Sequence, residues 1–208
     1  MTPSGFHKGF IRPEDLIITD LAGRKLRGSH QPSSEFAMHA LIYAERSDVR
    51  AVVHAHPPLT VALALAGVSL TDCVLSETCL LLGPVPTAPY STPTTSEVPE
   101  SLRPYVRSAN AIIMHRHGAL TMGRTIDEAW QRMEAVEHSA KIIHAARAIG
   151  EVRPLPPPEA SKLEQLASQL GIPRPPEPPP QTWHGPNHDS SMSESELVEA
   201  VLRKLRGG

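Results

Sequence analysis

The sequence predicts a layered α/β domain. Short apolar runs with β-branched residues, typical of strands, alternate along the chain with longer segments of helical periodicity. The alternation contains no internal repeat and no glycine-rich phosphate loop. Two predicted strands end in histidines, and α/β folds place their sites outside strand ends. We therefore expect one α/β domain with a site at an edge of its sheet.

The composition excludes several classes of function. The length of 208 residues suits one domain and leaves room for an appendage. A net charge of −2 without a cluster of basic residues argues against a nucleic-acid-binding surface. The sequence has neither a signal-peptide pattern nor an apolar run near the roughly 20 residues of a membrane span. We expect a cytoplasmic protein that binds neither nucleic acid nor membrane.

In the first part of the chain, a Pro-Ser-Gly turn at residues 3–5 precedes the predicted elements. These are a helical turn at 11–16, strands at 16–20 and 23–26, a helix from 33 to about 46, a strand at 51–53 and a helix at 59–67. Ser34 suits the N-cap of the helix that starts near residue 33. Gly67 ends the last helix of this part.

The second part continues the alternation. We expect an extended segment at 85–90, a helix at 96–108, strands at 111–114 and 119–122, and helices at 125–149 and 162–170. Thr125, with Glu128 three residues later, forms a capping box for the longest helix. Cys73 and Cys79 lack a CxxC spacing and a secretory context, so we expect free, buried thiols that bind no metal.

Histidines follow two of these strands. His54 and His56 are two residues apart, so both imidazoles project from one face of the strand that Pro57 then stops. This arrangement suits a divalent metal, most often zinc, although the pair alone fits two structural histidines equally well. His117 follows the second strand, and three nitrogen ligands with one open position are typical of catalytic zinc. His115 shares a face with His117, and we expect it beside the ligands or at the surface.

A third group of polar residues lies at the start of the helix that begins near residue 33. Glu35 is a carboxylate where the helix dipole favours anions, and its spacing alone favours a helix-stabilising role. Ser33 and Ser34 are caps in the first instance, although hydroxyls at a helix N-terminus also suit a phosphate group.

Several separated motifs carry a family resemblance. They are TPSG at 2–5, PSSE at 32–35, VHAHPP at 53–58, APY at 88–90 and HGAL at 117–120. In this order and spacing they resemble the class II aldolase/adducin family over residues 2–171, with the L-fuculose-phosphate-type aldolases most similar. The resemblance implies a central, mainly antiparallel sheet flanked by helices. It further implies metal-dependent cleavage of a ketose 1-phosphate into dihydroxyacetone phosphate and an aldehyde such as lactaldehyde.

The resemblance also implies roles for single residues. His54, His56 and His117 would bind Zn²⁺ or another divalent metal, and Glu35 would complete the site and then act as the acid/base. The substrate phosphate would be held by a group of four residues, Ser4, Gly5, Ser33 and Ser34. Tyr90 would donate a proton in a site shared with a neighbouring subunit, since family members are typically cyclic homotetramers.

The chain departs from the family in three places. The usual N-terminal helix and strand are missing, so we expect either an upstream start or a truncated protein. Arg116 replaces the Asn or His common before the metal-binding histidine, and the late tyrosine of the family has no clear equivalent. The alternatives to an aldolase are therefore a sugar-phosphate epimerase or dehydratase of the same family and a non-catalytic, adducin-like scaffold.

The C-terminal region has a different composition. A proline-rich stretch at 172–192 predicts an extended spacer between the domain at 1–171 and a final segment at 193–208. That segment begins with a capping box and continues as an amphipathic helix. It resembles the encapsulation peptides that tether enzymes inside bacterial microcompartments, which implies a shell protein as a partner and a microcompartment as a location.

Overall fold

The structure, a computed structural model, describes residues 1–177. Its strands are β1 (Ile18–Thr19), β2 (Lys25–Arg27), β3 (Ala51–Ala55), β4 (Thr87–Ala88), β5 (Ala111–Met114) and β6 (Gly118–Gly123). Its α-helices are α1 (Phe36–Glu45), α2 (Pro58–Leu65), α3 (Ser76–Leu81), α4 (Glu97–Val106), α5 (Ile126–Ile149) and α6 (Pro157–Gln169). Short 3₁₀ helices cover Lys8–Phe10 and Pro13–Asp15, the second within the predicted helical turn at 11–16.

A four-stranded sheet in the order β3-β6-β5-β4 forms the centre of the domain. The β3–β6 and β5–β6 pairs are antiparallel, and the short β4 runs parallel to β5. Strands β1 and β2 form a separate two-stranded sheet. The predicted α/β class with a mainly antiparallel central sheet is confirmed.

Helices cover both faces of this sheet, which is why β5 and β6 are buried throughout and, apart from Thr121, apolar. Successive residues of a strand point to opposite faces. Ile112 accordingly packs with residues of α1 and α4, such as Ile42 and Leu102. Ile113 packs with residues of α2 and α5, such as Leu63 and Val136.

Two predicted helix starts have different outcomes. At α5, the Thr125 side chain accepts a hydrogen bond from the N–H of Glu128 at 3.1 Å, which confirms the predicted cap. At α1, the prediction of Ser34 as N-cap is wrong. Glu35 occupies the cap position, and the Oγ of Ser33 accepts from the N–H of Glu35 at 3.3 Å.

The expectation of free thiols is also wrong. Cys73 and Cys79 form a disulfide, with Cα atoms 5.4 Å apart, and both residues are only half-buried. The pairing depends on α3, an element that the strand and helix patterns did not predict. Its first turn folds the chain back, and the N–H of Cys79 donates to the carbonyl of Leu75.

The first residues of the predicted proline-rich spacer contact the domain. The carbonyl of Pro173 accepts from the side chain of Asn110 at 3.1 Å, and Arg174 donates to the carbonyl of Cys79 at 3.0 Å. The N–H of Glu177 donates to the carbonyl of Arg107 at 3.0 Å, and their side chains form an ion pair. The rest of the spacer and the predicted helix at 193–208 lie outside the described residues.

Within residues 1–177, no helix combines the length and the apolar character that crossing a membrane requires.

Candidate metal centre

Strand pairing brings the histidines together. Ala55, the last residue of β3, lies opposite Ala119 of β6, so the chain just beyond β3 runs beside the start of β6. His54 lies within β3 and His56 one residue past its end. His117 comes directly before β6, in the tight turn that follows β5. The three imidazole centroids are separated by 4.9, 5.0 and 5.0 Å, an almost equilateral triangle.

Glu35 closes the triangle from the start of α1. Its Oε2 lies 2.8 Å from Nε2 of His54, and its Oε1 lies 3.2 Å from Nε2 of His117. The Nε2 atoms of His54 and His56 are 3.1 Å apart. One potential ligand atom from each of the four residues lies within 4.8 Å of the others. Residues distant in sequence therefore direct three nitrogens and one carboxylate toward a common point.

Gly118 makes this approach possible. A Cβ at this position would lie 2.4 Å from the carbonyl oxygen of Ala55, 2.7 Å from Cδ2 of His56 and 3.1 Å from Cε1 of His54. Any larger residue would therefore push β6 away from the two histidines. The neighbouring Arg116 has a positive φ of 62°, which allows the tight turn between β5 and β6.

The donor set fits zinc or a similar divalent cation. Nδ1 of His54 lies 3.0 Å from the carbonyl oxygen of Ala119, an acceptor that keeps a proton on Nδ1. Nε2, which faces the other ligands, is therefore the nitrogen that would bind a metal once it has given up its own proton. Three imidazole nitrogens and a carboxylate oxygen are zinc ligands. Nδ1 of His117 is buried and has no hydrogen-bond partner among residues 1–177, whereas its Nε2 lies near Glu35 and is the atom directed at the site.

The electrostatics favour the protonation states that a metal requires. Hydrogen bonding to His54 lowers the pKa of Glu35, against the opposing effect of burial. Burial lowers the pKa of His56 and of His117. At neutral pH the imidazoles of His56 and His117 are therefore uncharged and the Glu35 carboxylate is ionised, which are the forms that bind a cation.

One further titratable residue near this group was not predicted. His39 lies one helical turn after Glu35 on α1, so its i, i+4 spacing from Glu35 was the signal available in the sequence. Burial, followed by the nearby His54, lowers the pKa of His39 to about 4. His39 therefore stays uncharged beside the metal group.

The residues expected to bind phosphate also lie close together. Pro3 and Pro32 form an antiparallel bridge, and the N–H of Ser4 donates to the carbonyl of Gln31 at 3.0 Å. This pairing aligns Ser4 and Gly5 with the chain that leads into Ser33 and Ser34, and Ser4, Gly5 and Ser34 are exposed. Gly5 has a φ of +75°, which its turn requires.

Tyr90 and His115 lie outside the group of four metal-binding candidates. Tyr90 follows β4 and its residue surface is 57% exposed. The N–H of His115 donates to the carbonyl of Ala88 at 3.1 Å, and its side chain is half-buried.

Comparison with known proteins identifies the family. The class II aldolase and adducin N-terminal domain matches residues 1–144. The chain belongs to the class II aldolase and adducin family. It is 32% identical over 171 residues to a 5-deoxy-D-ribulose 1-phosphate aldolase of Bacillus thuringiensis, covering 82% of this chain and 78% of that protein. It is 33% identical over 146 residues to an L-fuculose phosphate aldolase of Methanococcus vannielii, covering 69% and 77%.

A solved structure of an L-fuculose 1-phosphate aldolase has the same fold. It superposes with a TM-score of 0.74 at 29% identity, over 82% of this chain and 78% of that one. The expected resemblance to the family is confirmed. The expectation that the chain is an enzyme, a class II metal-dependent aldehyde-lyase, is confirmed as well.

Proposed function

We propose that this class II aldolase uses zinc to cleave a ketose 1-phosphate of the fuculose, rhamnulose or deoxyribulose type. The products would be dihydroxyacetone phosphate and a short aldehyde such as lactaldehyde. The observation that carries the proposal is the convergence of Glu35 with His54, His56 and His117. The aldolase names of the relatives support the choice of reaction and substrate class.

The reaction needs no further reactant. The hydroxyl at carbon 4 of the ketose loses its proton, the bond between carbons 3 and 4 breaks, and a proton is added at carbon 3. Zinc bound by the three histidines would act as a Lewis acid that stabilises the negative charge developing on the dihydroxyacetone phosphate fragment.

Glu35 would transfer the proton at carbon 3. Its carboxylate has a lowered pKa and faces His54 and His117, so it is ionised at neutral pH. It would therefore first accept the proton that the carbon-4 hydroxyl releases and then deliver it to carbon 3. Tyr90 would donate a proton to the aldehyde oxygen when the reaction runs in the direction of ketose formation. Its 57% exposure is compatible with a site that a second subunit completes. Ser4, Gly5 and the paired serines at 33–34 would hold the phosphate through hydroxyl and backbone donors.

The proposal includes a homotetramer in the cytoplasm. Apolar side chains are exposed in and beside the β1–β2 sheet, and contact with another copy would bury them: Leu16, Ile18, Leu21 and Leu26. Light scattering on the purified chain would test the assembly. A mass of four chains is expected, and a monomer that cleaves substrate at full rate would exclude a shared site.

The proposal also assigns residues 193–208 to tethering the enzyme inside a microcompartment. Deleting these residues should leave turnover unchanged and abolish co-assembly with shell proteins. A loss of turnover instead would mean that the segment is part of the catalytic domain.

The test of the reaction is release of dihydroxyacetone phosphate from L-fuculose, L-rhamnulose and 5-deoxyribulose 1-phosphates. Each assay is run with added zinc and again after chelator treatment. Release that chelator abolishes and zinc restores is expected for at least one ketose. If zinc-loaded protein releases none, epimerase or dehydratase chemistry becomes the better assignment, and a chain that also binds no zinc is a scaffold.

A further inference from the structure

The N-terminus of α2 is held by a residue of another helix. The chain leaves His56 through Pro57 and Pro58, which have no N–H groups to donate. The next two N–H groups, those of Leu59 and Thr60, both donate to the Glu137 carboxylate at 3.2 and 3.0 Å. The Thr60 hydroxyl donates to the same carboxylate at 2.9 Å. Glu137 therefore supplies the cap that no side chain of α2 itself provides.

The position of Glu137 relates this cap to the metal centre. Glu137 lies in the middle of α5, which packs against α2, β3 and β6. Strand β3 carries His54, and β6 begins directly after His117. One helix therefore supports all three chain segments that deliver the histidines.

His56 depends on this cap more than the other two histidines do. It lies beyond the end of β3, so the β3–β6 ladder holds the chain only as far as Ala55. The next fixed points are the hydrogen bonds of Leu59 and Thr60 to Glu137. Between these anchors the direction of the His56 imidazole follows the path of the chain.

We propose that Glu137 is a positioning residue of the metal centre, which clamps the start of α2 so that His56 faces the other ligands. The inference rests on the proposed function only in requiring that the site binds a divalent metal. Replacing Glu137 leaves two helix N–H groups without an acceptor, in a partly buried contact where the helix dipole favours an anion. The first turn of α2 then shifts or frays, and His56 shifts with it.

The experiment measures metal binding by the full chain and does not depend on turnover. Zinc affinity is obtained by competition with a chromophoric chelator, and the visible spectrum of the cobalt form reports the ligand geometry. Glu137→Ala should weaken binding by about 10–100-fold, the usual effect of losing a group that orients a ligand, and should change the cobalt spectrum. Glu137→Gln keeps one carbonyl acceptor for two N–H donors and should weaken binding by a smaller factor, roughly 3–10-fold.

Ser139→Ala is the matched control on the same helix. The Ser139 hydroxyl contacts Thr78 of α3 and therefore links α5 to an element without metal ligands. This variant should keep wild-type affinity and spectrum even if its melting temperature falls.

The outcomes separate the two claims. Wild-type zinc affinity and cobalt spectrum in Glu137→Ala, at any melting temperature, would overturn the positioning role. If that variant does not fold, unchanged affinity and spectrum in Glu137→Gln would overturn it equally. A wild-type chain that binds neither metal would instead refute the proposed metal function.

Discussion

Replacing Gly118 with alanine should displace the ligands of the metal centre while the domain keeps its fold. The added Cβ would lie 2.4 Å from the carbonyl oxygen of Ala55, and ordinary contact begins near 3.4 Å. The start of β6 must therefore move away from β3 by about 1 Å. The same Cβ would contact His56 at 2.7 Å and His54 at 3.1 Å, so both imidazoles must also move.

The magnitudes follow from these contacts. Overpacking of this kind typically costs about 1–3 kcal/mol of the free energy of unfolding, which a domain with this core tolerates. Metal affinity should fall further than stability, by roughly 100-fold or more, because two ligands are displaced at once. Chelator competition gives the affinity, and urea unfolding of the metal-free protein gives the stability.

Gly123→Ala is the control at the other end of the same strand. Its Cβ would lie 2.6 Å from the backbone nitrogen of Ala129 and 2.9 Å from the carbonyl oxygen of Thr125, which is a comparable clash away from the histidines. It should destabilise the protein similarly and leave metal affinity within about threefold. Equal losses of affinity in both variants would refute the claim that Gly118 acts on the site directly.

Three further predictions concern single side chains. Glu35→Gln should retain zinc but lower turnover by about 100-fold or more, and unchanged turnover would return Glu35 to a role in helix stability. Arg46→Met should lower the free energy of unfolding by about 3 kcal/mol in urea titrations, because Arg46 is buried and donates to the carbonyls of Val106 and Ala109 and to the Asn110 side chain. An effect below about 1 kcal/mol would show that water replaces these bonds. For His39, the unfolded chain takes up a proton below its ordinary pKa of 6.5, whereas the native chain resists it down to about 4. Stability should therefore fall as the pH falls through this window, by up to about 3 kcal/mol, and His39→Gln in chelator-treated protein should lose that part of the pH dependence.

The elements that were predicted correctly from the sequence are those that a short stretch of chain determines by itself. The buried strands β5 and β6 are apolar apart from Thr121, and the Thr125 cap is local, so both follow from short stretches of chain. The histidines were found because His54 and His56 share a strand end and His117 follows a second one. Their convergence on Glu35 needed the β3–β6 pairing, which no local pattern contains.

Other features could not be predicted because they depend on distant partners. Helix α3 is only six residues long, and the pairing of Cys73 with Cys79 follows from its first turn. Arg46 would ordinarily be placed at the surface, but its carbonyl acceptors lie about 60 residues away in sequence. In the sequence Glu137 is an ordinary polar residue of α5, and its role as the cap of α2 depends on how the two helices pack together.

The zinc content of the purified chain is the most direct test of the proposed metal centre. Wild-type protein and His54→Ala are loaded with zinc, freed of excess metal by desalting, and analysed by elemental mass spectrometry. We expect close to one zinc per wild-type chain and almost none in His54→Ala, since the variant removes a ligand at the centre of the group. Equal zinc in both proteins, or none in the wild type, would contradict the assignment of Glu35, His54, His56 and His117 as the metal centre.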